Sequence, residues 1–303
     1  MNEIKIIAKS APILSNMLSK YDAGYKNMEL QLIKDFVSEQ DYKDVETMIK
    51  EYEEDIRAVH TPLVNDNNET LEISIEYLLK DRFYKIFEDT CKFAEYIANL
   101  ENKRIKVIIH NSYDKKTWDF SQLLEEKIGP SIKRVLDKYQ NVDIALENSW
   151  VLNDEAMGFR NCFDMSDVSY AVKVLNEICD NKFTTLLDTC HEMGTHEAFK
   201  RMTGNDLLNW DETFKMATMY SKLGHIHLNN MWDNGIDKDH GRSFDENHEG
   251  DLDKLKAIIE AYKKYADCDI SIEIYEDDYN KEPLNLIKTT NSLRKLGYEL
   301  KLD

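Results

Sequence analysis

Short apolar segments alternate with longer amphipathic segments along the whole chain, and this alternation constrains the fold more than any other feature. Eight apolar segments have the length and composition of strands: EIKIIA (3–8), NMELQLI (27–33), IRAVHTP (56–62), RIKVIIHN (104–111), VDIALEN (142–148), FTTLLDTCH (183–191), LGHIHLNN (223–230) and DISIEIY (269–275). Between them, segments such as 123–139, 166–180 and 251–266 place apolar residues three and four apart, which predicts helices.

Regular alternation of strand and helix predicts a parallel sheet covered by helices. Eight repeats within 303 residues fit a closed, eight-stranded parallel (β/α)8 TIM barrel, an α/β fold, better than an open doubly wound sheet. We therefore expect residues 1–303 to form a single TIM-barrel domain. The segment 67–101 interrupts the alternation, and we expect a helix pair or one long broken helix there.

The composition indicates an ordered globular protein and disfavours nucleic acid as a partner. Apolar residues make up 42% of the chain and charged residues 32%, with only ten glycines and four prolines. The net charge of −19 is spread over mixed patches, whereas binding to a phosphate backbone depends on clustered lysine and arginine. The sequence contains no apolar stretch of membrane-spanning length and no signal-peptide pattern, so we expect a cytoplasmic protein without a membrane partner.

Histidines and carboxylates stand at the ends of the predicted strands. In a TIM barrel the C-terminal strand ends form the mouth that carries the active site. The third to eighth strands end in His60, His110, Glu147, Asp188 with His191, His227 and Glu273, and His240 follows in the loop after the seventh strand. Imidazole combined with carboxylate is a typical ligand set for Zn²⁺, Mn²⁺, Co²⁺ or Fe²⁺. The sequence therefore predicts a divalent-metal site at this mouth.

Three residues near the predicted mouth carry more specific expectations. His225 lies two residues before His227 and faces the same side of its strand, so we expect it to pack or hydrogen-bond one layer below. Cys190 lies between Asp188 and His191, so we expect it to point elsewhere and to be a packed thiol. The five cysteines have no spacing typical of disulfides or thiolate zinc sites. Lys9, near the end of the first strand, is expected to be a solvated surface charge.

An ordered set of short motifs carries a resemblance to a known family. The fragments VHTP, IIHN, ALEN, LLDTCH, HIHLNN, KDH…EGDLD and SIEI follow each other from the third predicted strand to the eighth. In this order and at these intervals they resemble the xylose-isomerase-like barrel superfamily. That superfamily includes sugar-phosphate isomerases and epimerases, ketose 3-epimerases and the endonuclease IV type of apurinic endonuclease. The first two strands match only as generic strand-helix units.

For the isomerases and epimerases, the resemblance implies one divalent metal per chain, held by Glu147, Asp188, His227 and Glu273. The two glutamates would also be catalytic, since carboxylates on either side of a sugar carbon can remove a proton and return it. The metal would stabilise the intervening enediolate. His191 would contact a substrate oxygen.

Residues beyond the predicted ligands suggest how a substrate is held. Arg242 follows His240 in a loop that is expected to overhang the metal, and it is the best candidate to bind an anionic group. Trp150 and Trp232 come just after two of the predicted ligands, where flat aromatic faces can stack on sugar rings. We therefore expect a small carbohydrate substrate, and we leave open whether the chain forms a homo-oligomer.

The endonuclease IV branch is the second hypothesis. There the resemblance implies a trinuclear zinc cluster, with His60, His110, His191 and His240 as additional ligands. That branch expects an aspartate two residues before His240, but position 238 is a lysine. The net charge of −19 also disfavours the kinked DNA duplex that such an enzyme binds. We favour the isomerase or epimerase, and a non-catalytic barrel that binds metal or ligand ranks third.

Overall fold

The structure, a computed structural model, describes most of the chain. The described residues are 3–62, 73–111, 113–114, 120–149, 160–161, 165–205, 208–233 and 238–303. For positions 113, 114, 120, 160, 161, 202, 232, 233 and 238–240 only the backbone is described.

Eight parallel strands form a closed barrel. They are β1 (Glu3–Ser10), β2 (Asn27–Gln31), β3 (Asp55–His60), β4 (Ile105–Asn111), β5 (Val142–Asn148), β6 (Phe183–Asp188), β7 (Leu223–Leu228) and β8 (Asp269–Ile272). Each strand pairs with the next one in chain order, and β8 pairs with β1 to close the ring. A short strand, Glu299–Lys301, pairs in parallel with the N-terminal part of β1 at Glu3–Lys5. The predicted eight-stranded TIM barrel is therefore confirmed.

Helices cover the outside of this barrel. They are α1 (Leu14–Asp22), α2 (Glu39–Tyr52), α3 (Asp81–Glu101), α4 (Gly129–Lys138), α5 (Met165–Ile178), α6 (Thr189–Thr203), α7 (Trp210–Ala217), α8 (Asp251–Tyr265) and α9 (Leu284–Lys295). For the segment 67–101, predicted as a helix pair or one broken helix, the structure shows a 3-10 helix at Ile75–Leu79 followed by α3. Residues 63–72 lie outside the described part. Among the described residues, no helix is long and apolar enough to cross a membrane.

The helix predicted at 123–139 is not regular throughout. A short helix at Phe120–Leu123 passes into a π-helical turn at Leu124–Ile128 before α4 begins. The proline at position 130 has no N–H with which to continue the α-helical hydrogen-bond ladder. The N–H of Gly129 instead donates to the Leu124 carbonyl, five residues back. The interruption therefore follows from the Gly-Pro pair.

The side chains inside the barrel change from apolar to polar over two residues along each of four strands. Four residues on β3 to β6 form an apolar cluster separate from the large core between sheet and helices: Ala58, Ile108, Ala145 and Leu186. Two residues further along the same strands stand His60, His110, Glu147 and Asp188. Because strand side chains alternate with a period of two, these four face the same interior as the apolar cluster. The apolar cluster is thus the floor beneath a polar layer at the C-terminal mouth.

Two helix starts show how local sequence sets the framework. Before α2, the Ser38 hydroxyl accepts from the Asp41 N–H at 3.2 Å, and the Asp41 carboxylate accepts from the Ser38 N–H at 2.7 Å. Strand β6 passes directly into α6, where the Asp188 carboxylate caps the helix by accepting from the His191 N–H at 2.7 Å. This cap fixes His191 relative to Asp188 without an intervening loop.

A buried carboxyl group lies at the opposite end of the barrel from the histidines. Glu54 directly precedes β3, is 3% exposed, and has no hydrogen-bond partner for its carboxylate among the described residues. Burial raises the pKa of Glu54 to about 8; Lys26 opposes the shift and the nearby Glu101 adds to it. The unfolded chain releases this proton near the ordinary glutamate pKa of about 4.3. The free energy of unfolding contributed by Glu54 therefore falls as the pH rises between these two values.

We expect Glu54→Gln to stabilise the protein at pH 9 and to change little at pH 5, because the amide removes the buried negative charge. A gain of about 1 kcal/mol corresponds to a rise of about 2–4 °C in the melting temperature of a large domain. Calorimetry at both pH values measures this difference. The exposed Glu282→Gln is the matched control. An equal gain at both pH values contradicts the assignment.

Candidate metal centre

The four predicted metal ligands converge at the barrel mouth. One ligand atom from each of Glu147, Asp188, His227 and Glu273 lies within 4.8 Å of the others. His227 Nδ1 lies 3.1 Å from Glu147 Oε1 and 2.7 Å from Glu273 Oε2. The side chain of Glu273 is 14% exposed and opens to the mouth, whereas the other three are fully buried. The structure brings these four residues together, and their role as ligands stays a prediction.

A second group of ligand atoms shares Glu147 with the first. One atom each from His60, His110 and Glu147 lies within 4.8 Å of the others. His60 Nε2 is 3.1 Å and His110 Nε2 is 3.5 Å from Glu147 Oε2. The other oxygen of this carboxylate, Oε1, faces His227. Glu147 can therefore serve two neighbouring cation positions, one with each oxygen.

In His60 and His227, the hydrogen bond on the side of the ring away from Glu147 determines which ring nitrogen carries the hydrogen. His60 Nδ1 is 2.7 Å from the Thr61 carbonyl, which can only accept, so Nδ1 donates. His227 Nε2 is 3.1 Å from Glu29 Oε2 and donates to that carboxylate. In a neutral ring, the nitrogen facing Glu147 then carries a lone pair. A lone pair and a carboxylate oxygen at about 3 Å repel each other unless a proton or a metal ion lies between them. The donor set therefore fits a divalent cation.

Positively charged neighbours keep the buried carboxylates of this layer ionised. Burial alone would raise the pKa of Glu147, but His227 and His110 hold it well below its usual range. Burial likewise opposes ionisation of Glu273, and Lys9 and His227 hold its pKa well below the usual range. The pKa of His227 is raised well above its ordinary value, because nearby carboxylates outweigh the opposing effect of burial. In the metal-free protein a proton on His227 therefore supplies charge that a metal ion can replace.

His191 and Asp188 are held by their neighbours in defined orientations. The His191 Nδ1–H donates to the Asn148 carbonyl at 2.7 Å, which leaves Nε2 as the nitrogen able to contact a ligand or substrate. Burial lowers the pKa of His191, but the Asp188 and Glu147 carboxylates raise it above its ordinary value. The second Asp188 oxygen accepts from Asn229 Nδ2 at 2.8 Å. Both predicted site residues are thus positioned before any ligand binds.

Two charged residues that the sequence analysis did not assign to the site lie against it. Lys9 was expected at the surface, and this is wrong: its side chain is 8% exposed, and Nζ lies 2.8 Å from Glu273 Oε1 and 3.2 Å from Glu29 Oε1. Glu29 Oε2 also accepts from His225 Nε2 at 2.9 Å, so the predicted buried hydrogen bond of His225 is confirmed. The sequence shows only a charged residue within each strand, and this pattern does not separate a buried charge from a solvated one.

The segment after β7 differs from the predicted loop. Asn230–Asp233 and Lys238–Arg242 pair as an antiparallel hairpin. This hairpin contains Trp232 and His240, of which only the backbone is described. Trp150 lies outside the described residues. The roles of these three residues therefore stay predictions.

A close backbone contact attaches this hairpin to the segment after β8. The Gly241 carbonyl accepts from the Tyr275 N–H at 2.8 Å. Gly241 has φ +74°, and a Cβ there would lie 3.0 Å from the Tyr275 ring, so a side chain would be both strained and crowded. Arg242, the predicted substrate-binding residue, follows directly and is half-buried.

Cys190 is fully buried, and burial raises the pKa of its thiol well above the usual value, which confirms the packed thiol.

Comparisons with known proteins agree with this architecture. A sequence-family model described as "Xylose isomerase-like TIM barrel" matches residues 21–296. No curated protein sequence matches the chain significantly.

Several solved structures share the fold. An AP endonuclease, family 2, from Brucella melitensis has 14% identity and a TM-score of 0.59, covering 93% of this chain and 96% of that chain. A 3-keto-D-glucoside 4-epimerase from E. coli has 11% identity and a TM-score of 0.54, covering 97% and 99%. A xylose isomerase-like TIM barrel protein from Mycobacterium smegmatis, in complex with magnesium, has 11% identity and a TM-score of 0.50, covering 96% of each chain. At such identities the likeness shows the fold alone.

We expect a divalent metal to raise the melting temperature of the metal-free protein, because the ion relieves repulsion among the buried carboxylates. At a free metal concentration about 100 times the Kd, the expected stabilisation is about 2.7 kcal/mol. Differential scanning fluorimetry with Mn²⁺, Co²⁺ and Zn²⁺ measures the shift. Asp188→Asn is expected to reduce it and Asp137→Asn, at a 62% exposed side chain, to leave it unchanged. The absence of a shift with all three metals contradicts the site.

Proposed function

Because the chain belongs to the xylose isomerase-like TIM barrel family, we propose that it is a divalent-metal-dependent isomerase or epimerase of a small sugar or sugar phosphate. The observation that carries this proposal is the convergence of Glu147 and Glu273 with Asp188 and His227 at the barrel mouth. The 3-keto-D-glucoside 4-epimerase adds a carbohydrate enzyme built on the same fold.

Glu147, Asp188, His227 and Glu273 would hold one divalent cation, with Zn²⁺, Mn²⁺, Co²⁺ and Fe²⁺ as the candidates. A bound ion of this kind supplies a Lewis acid that polarises a sugar carbonyl and stabilises the negative charge formed on its oxygen. The magnesium complex of the Mycobacterium smegmatis relative supports a divalent ion on this fold without fixing its identity.

The two glutamates have surroundings suited to moving a proton. Glu273 is the most exposed of the four residues, with 14% of its side chain open to the mouth. Lys9 lies 2.8 Å from its Oε1, and its Oε2 lies 2.7 Å from His227 Nδ1. Glu147 is enclosed by histidines, with His60 at 3.1 Å and His227 at 3.1 Å from its two oxygens. Both carboxyl groups have a lowered pKa, so both are ionised, as a group must be before it accepts a proton.

The remaining predicted residues would hold the sugar in place. His191 Nε2 would donate to or accept from a substrate oxygen, since Nδ1 is already bonded to Asn148. Arg242 would bind an anionic group, and Trp150 and Trp232 would stack on the ring. These assignments come from the sequence.

We expect Glu147→Gln and Glu273→Gln each to lower turnover by about 10²–10⁴-fold, the usual contribution of a general acid or base. A panel of sugars and sugar phosphates incubated in D₂O identifies the substrate, because proton removal next to a carbonyl introduces deuterium that NMR detects. The exposed Glu282→Gln is expected to behave like the parent protein.

Metal content of each glutamine variant, measured by elemental analysis, separates loss of the cation from loss of proton transfer. A folded variant that exchanges deuterium at the parent rate rules out the proton-transfer role of that glutamate.

The second candidate function is an apurinic endonuclease with a multinuclear zinc site. One observation favours it: His60, His110 and Glu147 form a further ligand group beside the first. The similarity to an AP endonuclease, family 2, adds an example on the same fold. The net charge of −19 and the lysine at position 238 argue against it.

Replacing His60 and His110 together with asparagine distinguishes the two functions. In the isomerase or epimerase we expect metal content to stay near one ion per chain and sugar turnover to persist. In the endonuclease we expect loss of zinc together with loss of cleavage of an oligonucleotide that carries an abasic site. Elemental analysis and a gel-based cleavage assay on the same preparations provide both readouts. Two or three zinc ions per chain in the parent protein would overturn the preference for the isomerase.

A further inference from the structure

Strands β1 and β2 carry none of the predicted metal ligands, yet each places a buried charged residue against one. Lys9 and Glu29 are register partners in the β1–β2 pair. Their side chains are 8% and 0% exposed and lie 3.2 Å apart. Opposite charges at this distance, enclosed by the barrel wall, form a buried ion pair.

Glu29 fixes the orientation of one predicted ligand. Its Oε2 lies 3.1 Å from His227 Nε2 and 2.9 Å from His225 Nε2, so a single oxygen accepts from both rings. A carboxylate on the outer nitrogen of a histidine selects the tautomer in which the inner nitrogen has the lone pair. For His227 that inner nitrogen is Nδ1, the atom that faces Glu147 and Glu273.

Lys9 fixes the orientation of a second predicted ligand. Its ammonium lies 2.8 Å from Glu273 Oε1 and leaves Glu273 Oε2 directed at His227 Nδ1, 2.7 Å away. Lys9 thus links the Glu29 carboxylate to the Glu273 carboxylate. The contacts form a closed ring, from Glu29 to His227, across the candidate metal position to Glu273, and back through Lys9.

We propose that Lys9 and Glu29 are positioning residues, which hold Glu273 and His227 in the orientation that binds the metal. This inference rests on the metal site of the proposed function and is independent of the reaction catalysed there. In this arrangement β1 and β2 supply the support for ligands that β7 and the end of β8 provide.

An effect of charge alone and a positioning role predict different changes in metal affinity. If the pair acted only through its charge, Lys9→Met would make the site more negative and tighten metal binding, and Glu29→Gln would weaken it. The double variant, with both charges removed, would then return to the parent affinity. If the pair positions the ligands, all three variants bind metal more weakly, because either change releases a ligand side chain. The sign of the Lys9→Met effect therefore separates the two explanations.

Cobalt(II) is the probe for this test. We expect Lys9→Met, Glu29→Gln and the double variant each to weaken Co²⁺ binding by about 10–100-fold, the usual effect of removing a residue that hydrogen-bonds to a metal ligand. Competition with a chromophoric chelator measures the affinity. The visible absorption spectrum of bound Co²⁺ reports the geometry of its ligands and is expected to change as well. Lys9→Arg, which keeps the charge and the donors, is expected to recover part of the affinity.

Two buried residues away from the ligands serve as matched controls. Lys106 is a partly buried lysine whose Nζ donates to the Gly224 carbonyl at 2.8 Å, and Glu54 is a buried glutamate at the other end of the barrel. Lys106→Met and Glu54→Gln are expected to keep the parent Co²⁺ affinity and spectrum. Circular dichroism of the metal-free variants confirms the fold, and Lys9→Gln and Glu29→Asp replace any variant that fails to fold.

The outcomes distinguish this inference from the proposed function. If the parent protein binds no Co²⁺, the metal site itself is wrong, and the inference falls with it. If the parent binds Co²⁺ and Lys9→Met binds it as well or better, with an unchanged spectrum, the metal site stands and the positioning role is overturned. Weaker binding in all three variants, with an altered spectrum, supports the positioning role.

Discussion

Four carboxylates and the Lys9 ammonium, all within the described part of the chain, share one buried layer at the mouth of the barrel. Glu29, Glu147 and Asp188 are fully buried and Glu273 is nearly so, whereas Lys9 is the lysine that contacts two of them. Removing charges from water costs several kcal/mol per ion unless an opposite charge compensates it. The arrangement of the layer therefore depends on where positive charge is placed. The Lys9 contacts with Glu29 and Glu273 supply part of that charge.

Different strands provide the predicted metal ligands and the residues that orient those ligands. Strands β5 to β7 and the residue after β8 provide Glu147, Asp188, His227 and Glu273, whose ligand atoms face a common centre. Strands β1 and β2 provide the ion pair that orients two of those ligands from the outer side. Because a closed barrel brings β8 back beside β1, Lys9 and Glu273 become neighbours although they lie at opposite ends of the sequence. Closure of the sheet is thus what completes the site.

The sequence predicts the fold and the convergence of the ligands better than it predicts the support around them. The alternation of strand and helix predicts the barrel, and the position of His227 at a strand end predicts the mouth. The two-residue period predicts that His225 lies buried beneath His227. Lys9 and Glu29 escape prediction because a single charged residue in a strand has the same pattern whether it faces solvent or a buried partner. The register of the β1–β2 pair shows that these two charges meet.

The balance of charge bears on which chemistry this layer can support. Among the described residues, the four carboxylates and the Lys9 ammonium together carry a charge of −3 when the histidines are neutral. One divalent cation leaves a single negative charge, and two give an excess of one positive charge. With one cation the layer keeps a single negative charge, so it adds no positive charge to attract a DNA backbone to a protein of net charge −19.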